Sequence, residues 1–168
     1  GANNYTVLQL ANYVAAIANG GYLMKPHVMS KVVTDKGKTV RTTKPEVVRE
    51  VDIEPSTIAE TRRAMLAVAE PGGTAYFLFS HFPESIQVAA KTGTAETGRQ
   101  GDNASKEFHG VFVAFAPFDD PEIAFAGVIE ADGAARNFRK IAREGVVLLL
   151  VVVEEIAVAA VMAEDAML

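Results

Sequence analysis

The start of the chain carries an apolar pattern with the spacing of one helical face. Its members lie three or four positions apart: Val7, Leu10, Val14 and Ile17. Thr6 and Gln9 have the spacing of a capping box, in which each side chain accepts a hydrogen bond from the other residue's backbone N–H. The two glycines of Asn19–Gly21 can take the left-handed conformation that ends a helix. The pattern therefore predicts a helix between Thr6 and Asn19.

A hairpin and a second helix are predicted next. His27–Thr34 and Thr39–Thr43 are strand-like and flank the turn Asp35–Lys38, which favours a peripheral hairpin exposed to solvent. Thr57 and Glu60 then have the spacing of a capping box, and Pro71–Gly73 would end the helix that they begin. Its apolar face holds Ile58, Met65 and Val68.

From Ile86 onward the apolar period changes to that of extended chain. Three strands are predicted, Ile86–Thr94, His109–Ala116 and Ile123–Glu130, and their short links favour antiparallel order. Glu96–Phe108 is expected to be a polar loop. Both faces of the middle strand are apolar, so helices must cover the sheet, with Ala134–Arg143 expected behind it. The fold class is therefore α+β, an antiparallel sheet flanked by helices.

The end of the chain is unusually apolar. Gly145–Val153 is a continuous apolar run, and the apolar character resumes at Ile156 after Glu154 and Glu155. Because the run is short of about 18 residues and is followed by two charges, a membrane-spanning helix is the lesser alternative. A buried or partner-covered helix, or a strand, is favoured. Residues 145–168 are treated as an apolar extension of unknown role, and residues 1–144 as the domain proper.

Composition and charge exclude several classes of function. The 168 residues suit one globular domain, and their net charge of -5 argues against nucleic acid as a partner, since phosphates require clustered cations. Without Cys, disulfides and thiolate metal sites are excluded. His27, His81 and His109 lack the spacing of metal ligands. We therefore expect no metal centre and no cofactor.

One predicted strand carries residues that are odd for a core strand. Within Val88–Glu96, a lysine, two hydroxyls and a glycine interrupt an apolar run: Lys91, Thr92, Gly93 and Thr94. Lysine is costly to desolvate and glycine weakens a strand, which together indicate an edge that a ligand's backbone approaches. The alternative is an edge strand that a charge guards against aggregation.

The wider sequence resembles the monofunctional, class B penicillin-binding proteins. Lys-Thr-Gly is the third motif of the serine penicillin-recognising enzymes, and Thr94–Glu96 extends it in the class B form. The other similar stretches follow in the right order: Tyr5–Tyr13 with Ala18–Gly21, Gly72–Ala75, and His109–Pro117. The resemblance implies part of the serine β-lactamase and penicillin-binding-protein transpeptidase fold. Its sheet would have five strands, of which this chain is expected to supply three.

The resemblance also implies a function and a site. The parent protein would be a D,D-transpeptidase that cross-links peptidoglycan stem peptides ending in D-Ala-D-Ala and that β-lactams acylate as substrate mimics. Lys91 would attract the terminal carboxylate, and the hydroxyls of Thr92 and Thr94 would donate hydrogen bonds to it. Gly93 would keep the strand bare for an antiparallel peptide. The backbone N–H of Thr94 would be one oxyanion-hole donor.

The nucleophile is missing. No Ser or Thr is followed three positions later by Lys, and no Ser is followed two positions later by Asn or Asp. Both motifs lie upstream in the family, so the chain is expected to be a catalytically inactive fragment that needs the N-terminal half of its domain as a partner. The exposed sheet or the tail could also support a homo-oligomer. The parent is expected to be anchored in the bacterial inner or cell membrane with this domain outside the cytoplasm, and no anchor is expected within this chain.

Two alternatives stay open at this point. One is a non-catalytic peptide-binding or assembly module, and the other is a β-lactam sensor or a β-lactamase relative. Three smaller site candidates carry little weight: His109 is expected to be packed or capped, Glu96 to be a solvated loop carboxylate, and the Arg99–Lys106 loop to be solvated rather than in contact with a peptide or glycan.

Overall fold

The computed structural model describes residues 4–83, 85–100, 106–129, 147–152 and 158–162. The helices in these residues are α1 (Val7–Ala18), α2 (Pro55–Ala69) and α3 (Tyr76–Phe79). The strands are β1 (Tyr22–Met24), β2 (Lys31–Val33), β3 (Thr39–Thr42), β4 (Val47–Glu50), β5 (Ala89–Gln100), β6 (Lys106–Ala116), β7 (Ile123–Ile129), β8 (Val147–Val152) and β9 (Val158–Met162).

The main sheet has five strands in the order β5-β6-β7-β8-β9, and every neighbouring pair is antiparallel. The order follows the sequence, so each strand returns beside the one before it. The predicted α+β class, an antiparallel sheet with helices, is confirmed, but the expectation that this chain supplies three strands of the sheet was wrong, because β8 and β9 of the apolar tail add two more. Strand β5 lies at one edge of this sheet, which leaves one side of its backbone without a neighbouring strand in the described part of the chain.

Helix α1 begins with the predicted capping box. The Gln9 N–H donates to the Thr6 hydroxyl at 3.2 Å, and the Thr6 N–H donates to Gln9 Oε1 at 2.8 Å. At the other end, Asn19 binds the backbone of Tyr22 through both of its amide atoms. The predicted face packs on the core, with Val14 buried and Val7, Leu10 and Ile17 partly buried against it. The other buried positions of α1 are alanines: Ala11, Ala15, Ala16 and Ala18. Alanines let the helix backbone approach the sheet closely.

Helix α2 begins three residues before its predicted start, with Glu54 rather than Thr57 at the N-cap position. Pro55 occupies the first helical turn, where its missing N–H costs nothing and its fixed φ suits the helix. The predicted capping box was wrong, because Thr57 already lies inside the helix, where its carbonyl accepts a hydrogen bond from the Thr61 hydroxyl at 2.8 Å. The apolar face was predicted correctly in Ile58 and Met65, which are both buried.

The predicted hairpin exists as β2 and β3, with Lys31 opposite Thr42, although both strands are shorter than expected. A second antiparallel pair, β1 with β4, was not predicted. Its strands are three and four residues long, and most of their side chains are exposed, so they lack the alternation that reveals a strand in a sequence.

The sheet has an apolar core on each face, as the middle strand predicted. On one face, α1 and α2 cover Ala89, Phe115, Ala124 and Ala126. On the other, the segment around Ala75 and α3 packs against Val88, Ala90, Phe112 and Ala114. Strand β5 therefore has a helical layer on each side, and its position relative to both layers is fixed by packing.

Strands β5 and β6 are longer than predicted, and the expected loop Glu96–Phe108 was wrong for residues 96–100 and 106–108, while residues 101–105 lie outside the described residues. Ala95 pairs with His109 and Glu96 with Phe108, whereas the described pairing of β7 with β6 begins at Gly110. The two strands thus continue beyond the sheet as a ribbon. Paired strands that extend past the other strands of a sheet need no apolar alternation, so their polar sequence resembles that of a loop.

The apolar tail forms strands where it is described. Val147 pairs with Val128, and β9 pairs with β8 in turn. Of the two predicted forms, the strand is correct and the helix wrong for these residues. The predicted helix Ala134–Arg143 lies outside the described residues. Among the helices that the structure describes, none is long and apolar enough to cross a bilayer. The role of the extension stays a prediction.

Candidate functional site

The residues that the sequence singled out lie together on the edge strand. Each lies opposite a residue of β6, and the pairs are Lys91 with Val113, Thr92 with Phe112, Gly93 with Val111 and Thr94 with Gly110. No strand pairs with the other side of β5 in the part of the chain that the structure describes. Free backbone N–H and C=O groups at such an edge can pair with an added extended peptide.

Alternation along β5 separates the four side chains between two faces. Residues opposite one another on antiparallel strands point to the same face, and Lys91 and Val113 lie on the face that α1 and α2 cover. Thr92 lies with Phe112 on the opposite face. A ligand at the edge would therefore be contacted from both sides, by the ammonium group from one and by hydroxyls from the other.

Lys91 stands beside an apolar cavity of about 310 Å³ between β5 and the two helices. The cavity is lined by Tyr13, Val14, Ile17, Thr61, Ala64, Met65, Val68, Lys91 and Val113. The Lys91 side chain is exposed, its ammonium group donates a hydrogen bond to the Thr92 carbonyl, and it forms no ion pair with any described residue. The positive charge of Lys91 is thus available to an anion that lies beside this apolar cavity.

Gly93 is not required by packing. A Cβ built at Gly93 would lie 3.6 Å from Val111 Cβ and 3.7 Å from the Val111 carbonyl oxygen, which is ordinary van der Waals contact. Its φ lies outside the left-handed region that favours glycine. The described packing would therefore accept alanine here. That Gly93 keeps the strand bare for a peptide stays a prediction.

Thr92 has a partner that sequence analysis did not assign. Its hydroxyl lies 3.1 Å from the hydroxyl of Thr74, in the turn between α2 and α3. Thr94 is exposed, two positions farther along the same face. Gly72–Ala75 was singled out only as a stretch similar to the family, and nothing in its sequence identifies which strand the Thr74 side chain reaches.

The smaller candidates lie next to the four residues of β5 along the paired strands β5 and β6. His109 is half-buried within β6 opposite Ala95, and Glu96 is exposed on β5 rather than in a loop. Of the Arg99–Lys106 segment, residues 101–105 lie outside the described residues. Over the described ranges, no cluster of His, Asp and Glu could hold a metal ion.

Comparison with known sequences gives one consistent result. The family model for the penicillin-binding protein transpeptidase domain matches residues 1–151, which reaches into β8. Penicillin-binding protein 2A of Bacillus subtilis is 40% identical, over 76% of this chain and 19% of that protein. The chain therefore spans about a fifth of the length of this relative.

Solved structures show the same similarity in three dimensions. Penicillin-binding protein 2B of Streptococcus pneumoniae strain R6 has a TM-score of 0.63 at 31% identity, covering 76% of this chain and 21% of the other. Penicillin-binding protein A of Mycobacterium tuberculosis, in its penicillin G acyl-enzyme complex, has a TM-score of 0.57 at 28% identity, covering 75% and 26%. That second protein is one that penicillin G acylates.

Proposed function

The chain belongs to the family of penicillin-binding protein transpeptidase domains, and on this premise we propose that it forms the substrate-binding edge of a peptidoglycan D,D-transpeptidase. Its ligands are stem peptides that end in D-Ala-D-Ala, and β-lactams that mimic them. The observation that carries the proposal is the position of Lys91, Thr92, Gly93 and Thr94 on the edge strand of the described sheet.

The peptide backbone lies antiparallel along β5. An edge strand offers main-chain hydrogen bonds to an extended ligand whatever its side chains, so recognition of a particular peptide must come from groups placed beside the edge. Gly93 supports this arrangement because the fold itself leaves room for a larger residue there. A bare position lets the ligand backbone approach without a clash.

The terminal carboxylate is held by charge and hydroxyls. Lys91 supplies the cation, and Thr92 and Thr94 supply hydroxyl donors from the other face of the strand. Hydrogen bonds to charged groups are stronger than neutral ones, which suits a ligand distinguished by its free carboxylate. The Thr94 N–H is one donor to the oxyanion that develops when the D-Ala carbonyl is attacked.

The attacking hydroxyl comes from another stretch of polypeptide. Neither Ser-x-x-Lys nor Ser-x-Asn occurs in this sequence, and oxyanion donors have nothing to stabilise until a nucleophile adds to the carbonyl. The remaining part of the transpeptidase domain is therefore the required partner. We place the whole parent protein at the bacterial cell membrane, with this domain on the peptidoglycan side.

The function is tested by the carboxylate preference of the chain. We expect N,N′-diacetyl-L-Lys-D-Ala-D-Ala to shift the amide resonances of β5 in an NMR titration, and the same peptide with a C-terminal amide to bind at least about ten-fold more weakly. Equal binding of acid and amide, or shifts confined to residues away from β5, would contradict the proposal.

A second expectation concerns covalent chemistry. Because the chain has no serine in a nucleophile motif, incubation with a fluorescent penicillin should leave no labelled protein after denaturing electrophoresis. A labelled band at 17.9 kDa would show that a nucleophile exists within these residues. A penicillin-binding protein that carries Ser-x-x-Lys, labelled in parallel, serves as the positive control.

A further inference from the structure

We propose that Thr74 is a positioning residue of the carboxylate site, which it serves by orienting the hydroxyl of Thr92. The inference rests on the proposed function and adds to it a residue outside the Lys-Thr-Gly strand. It starts from the 3.1 Å contact between the two hydroxyl oxygens, which joins the turn after α2 to the edge strand.

The turn holds Thr74 in place from both sides. A Cβ at Gly73 would lie 2.2 Å from the Val68 carbonyl oxygen, so this residue packs directly on the last turn of α2. The Gly73 N–H donates to the Glu70 carbonyl at 2.8 Å, and the Ala75 N–H donates to the Val68 carbonyl at 2.9 Å. Ala75 is itself buried in the core. Thr74 is therefore an exposed side chain on a firmly anchored backbone.

The strand side of the contact is anchored as well. Ala90, two residues before Thr92, is fully buried in the same core as Ala75. Thr92 pairs with Phe112, which belongs to that core too. Both hydroxyls are thus carried by backbone that one apolar cluster fixes, while they themselves lie near the surface. Such an arrangement sets the distance between them without help from the ligand.

Hydroxyl chemistry gives the contact a direction when an anion is bound. A threonine hydroxyl has one hydrogen to donate and two lone pairs to accept. If the Thr92 hydroxyl donated its hydrogen to Thr74, it would have no hydrogen left to donate to a carboxylate. When Thr74 donates instead, Thr92 accepts that hydrogen bond and can donate its own hydrogen to the anion. The two hydrogen bonds then strengthen one another by polarisation. Thr74 thereby prepares Thr92 as a donor.

The test is the ratio of acid to amide binding in the same NMR titration, measured on the full chain. Thr74→Val removes the hydroxyl at nearly constant shape and should lower the ratio about three- to ten-fold, the effect expected of one hydrogen bond. Thr74→Ser keeps the hydroxyl and should restore it. In a Thr92→Val background, Thr74→Val should have no further effect, because its target is gone.

Each other outcome overturns the proposal. An unchanged ratio in Thr74→Val shows that Thr74 does not act on the carboxylate, while the proposed function stands. An equal loss with and without the Thr92 hydroxyl shows that Thr74 acts by another route. A wild-type chain without acid preference removes the proposed function and this inference together. Thermal unfolding of each variant by circular dichroism establishes that the compared chains are folded.

Discussion

Replacing Lys91 with alanine is expected to abolish most of the preference of the chain for a peptide acid over its amide. Lys91 is the cation beside the cavity next to β5, and it forms no ion pair with a described residue that would already use its charge. A hydrogen bond to a charged group contributes about 1.5–3 kcal/mol. Binding of the acid should therefore weaken about ten- to a hundred-fold, and binding of the amide should change little.

The chain offers a matched control for the loss of one positive charge. Lys31 is exposed on the hairpin strand β2, away from the main sheet, and Lys31→Ala changes the net charge by the same amount. An effect of net charge alone would appear in both variants and would be screened by salt, whereas a direct contact would be lost only in Lys91→Ala. If the Lys91→Ala chain kept its acid preference, or if both variants lost it alike, Lys91 would not be the carboxylate ligand.

The features predicted best from the sequence are those for which the signal lies within a few neighbouring residues. The strand carrying Lys91 was identified because a charge and a glycine interrupt an apolar run, and it does lie at the sheet edge. The capping box of Thr6 and Gln9 was identified because both partners lie within one helical turn. The resemblance to class B penicillin-binding proteins, read from four stretches in the right order, is confirmed by the family match.

The errors have a common physical cause, which is that a local pattern does not show what packs against it. The predicted apolar face of α1 does pack on the core, but the alanines buried beside it carry no signal in the pattern. The ribbon after Glu96 was taken for a loop because paired strands without a core need no apolar alternation. For the same reason the contact between Thr74 and Thr92, which are 18 residues apart, has no signature in either segment.

These observations connect the site to the fold through one strand. On one side of β5, α1 and α2 leave the cavity beside Lys91. On the other, the turn after α2 reaches Thr92. Helix α2 thus touches the site twice, through its side chains and through the turn that follows it. A change that distorts the end of this helix should therefore alter both stability and ligand binding.

Gly73→Ala is such a change, and it should lower the stability of the chain by about 3 kcal/mol, at the upper end of the cost of overpacking. The added Cβ would lie 2.2 Å from the Val68 carbonyl oxygen and 2.4 Å from that of Ala67. Both atoms belong to the backbone of α2, so relief requires the last turn to open. For a chain of this size the unfolding temperature should fall by about 6–12 °C.

Two glycines beside the same elements separate the clash from general effects of the substitution. Gly72 has a φ of 93° and open space around its missing Cβ, so Gly72→Ala should cost only the left-handed backbone penalty of about 1–2 kcal/mol. Gly93→Ala should scarcely change stability, because its Cβ meets nothing closer than 3.6 Å. The predicted order of destabilisation is Gly73→Ala, then Gly72→Ala, then Gly93→Ala. Equal unfolding temperatures for the Gly73 and Gly72 variants would show that the turn does not pack on α2 as described. The argument that α2 holds the backbone of Thr74 in place would then fail.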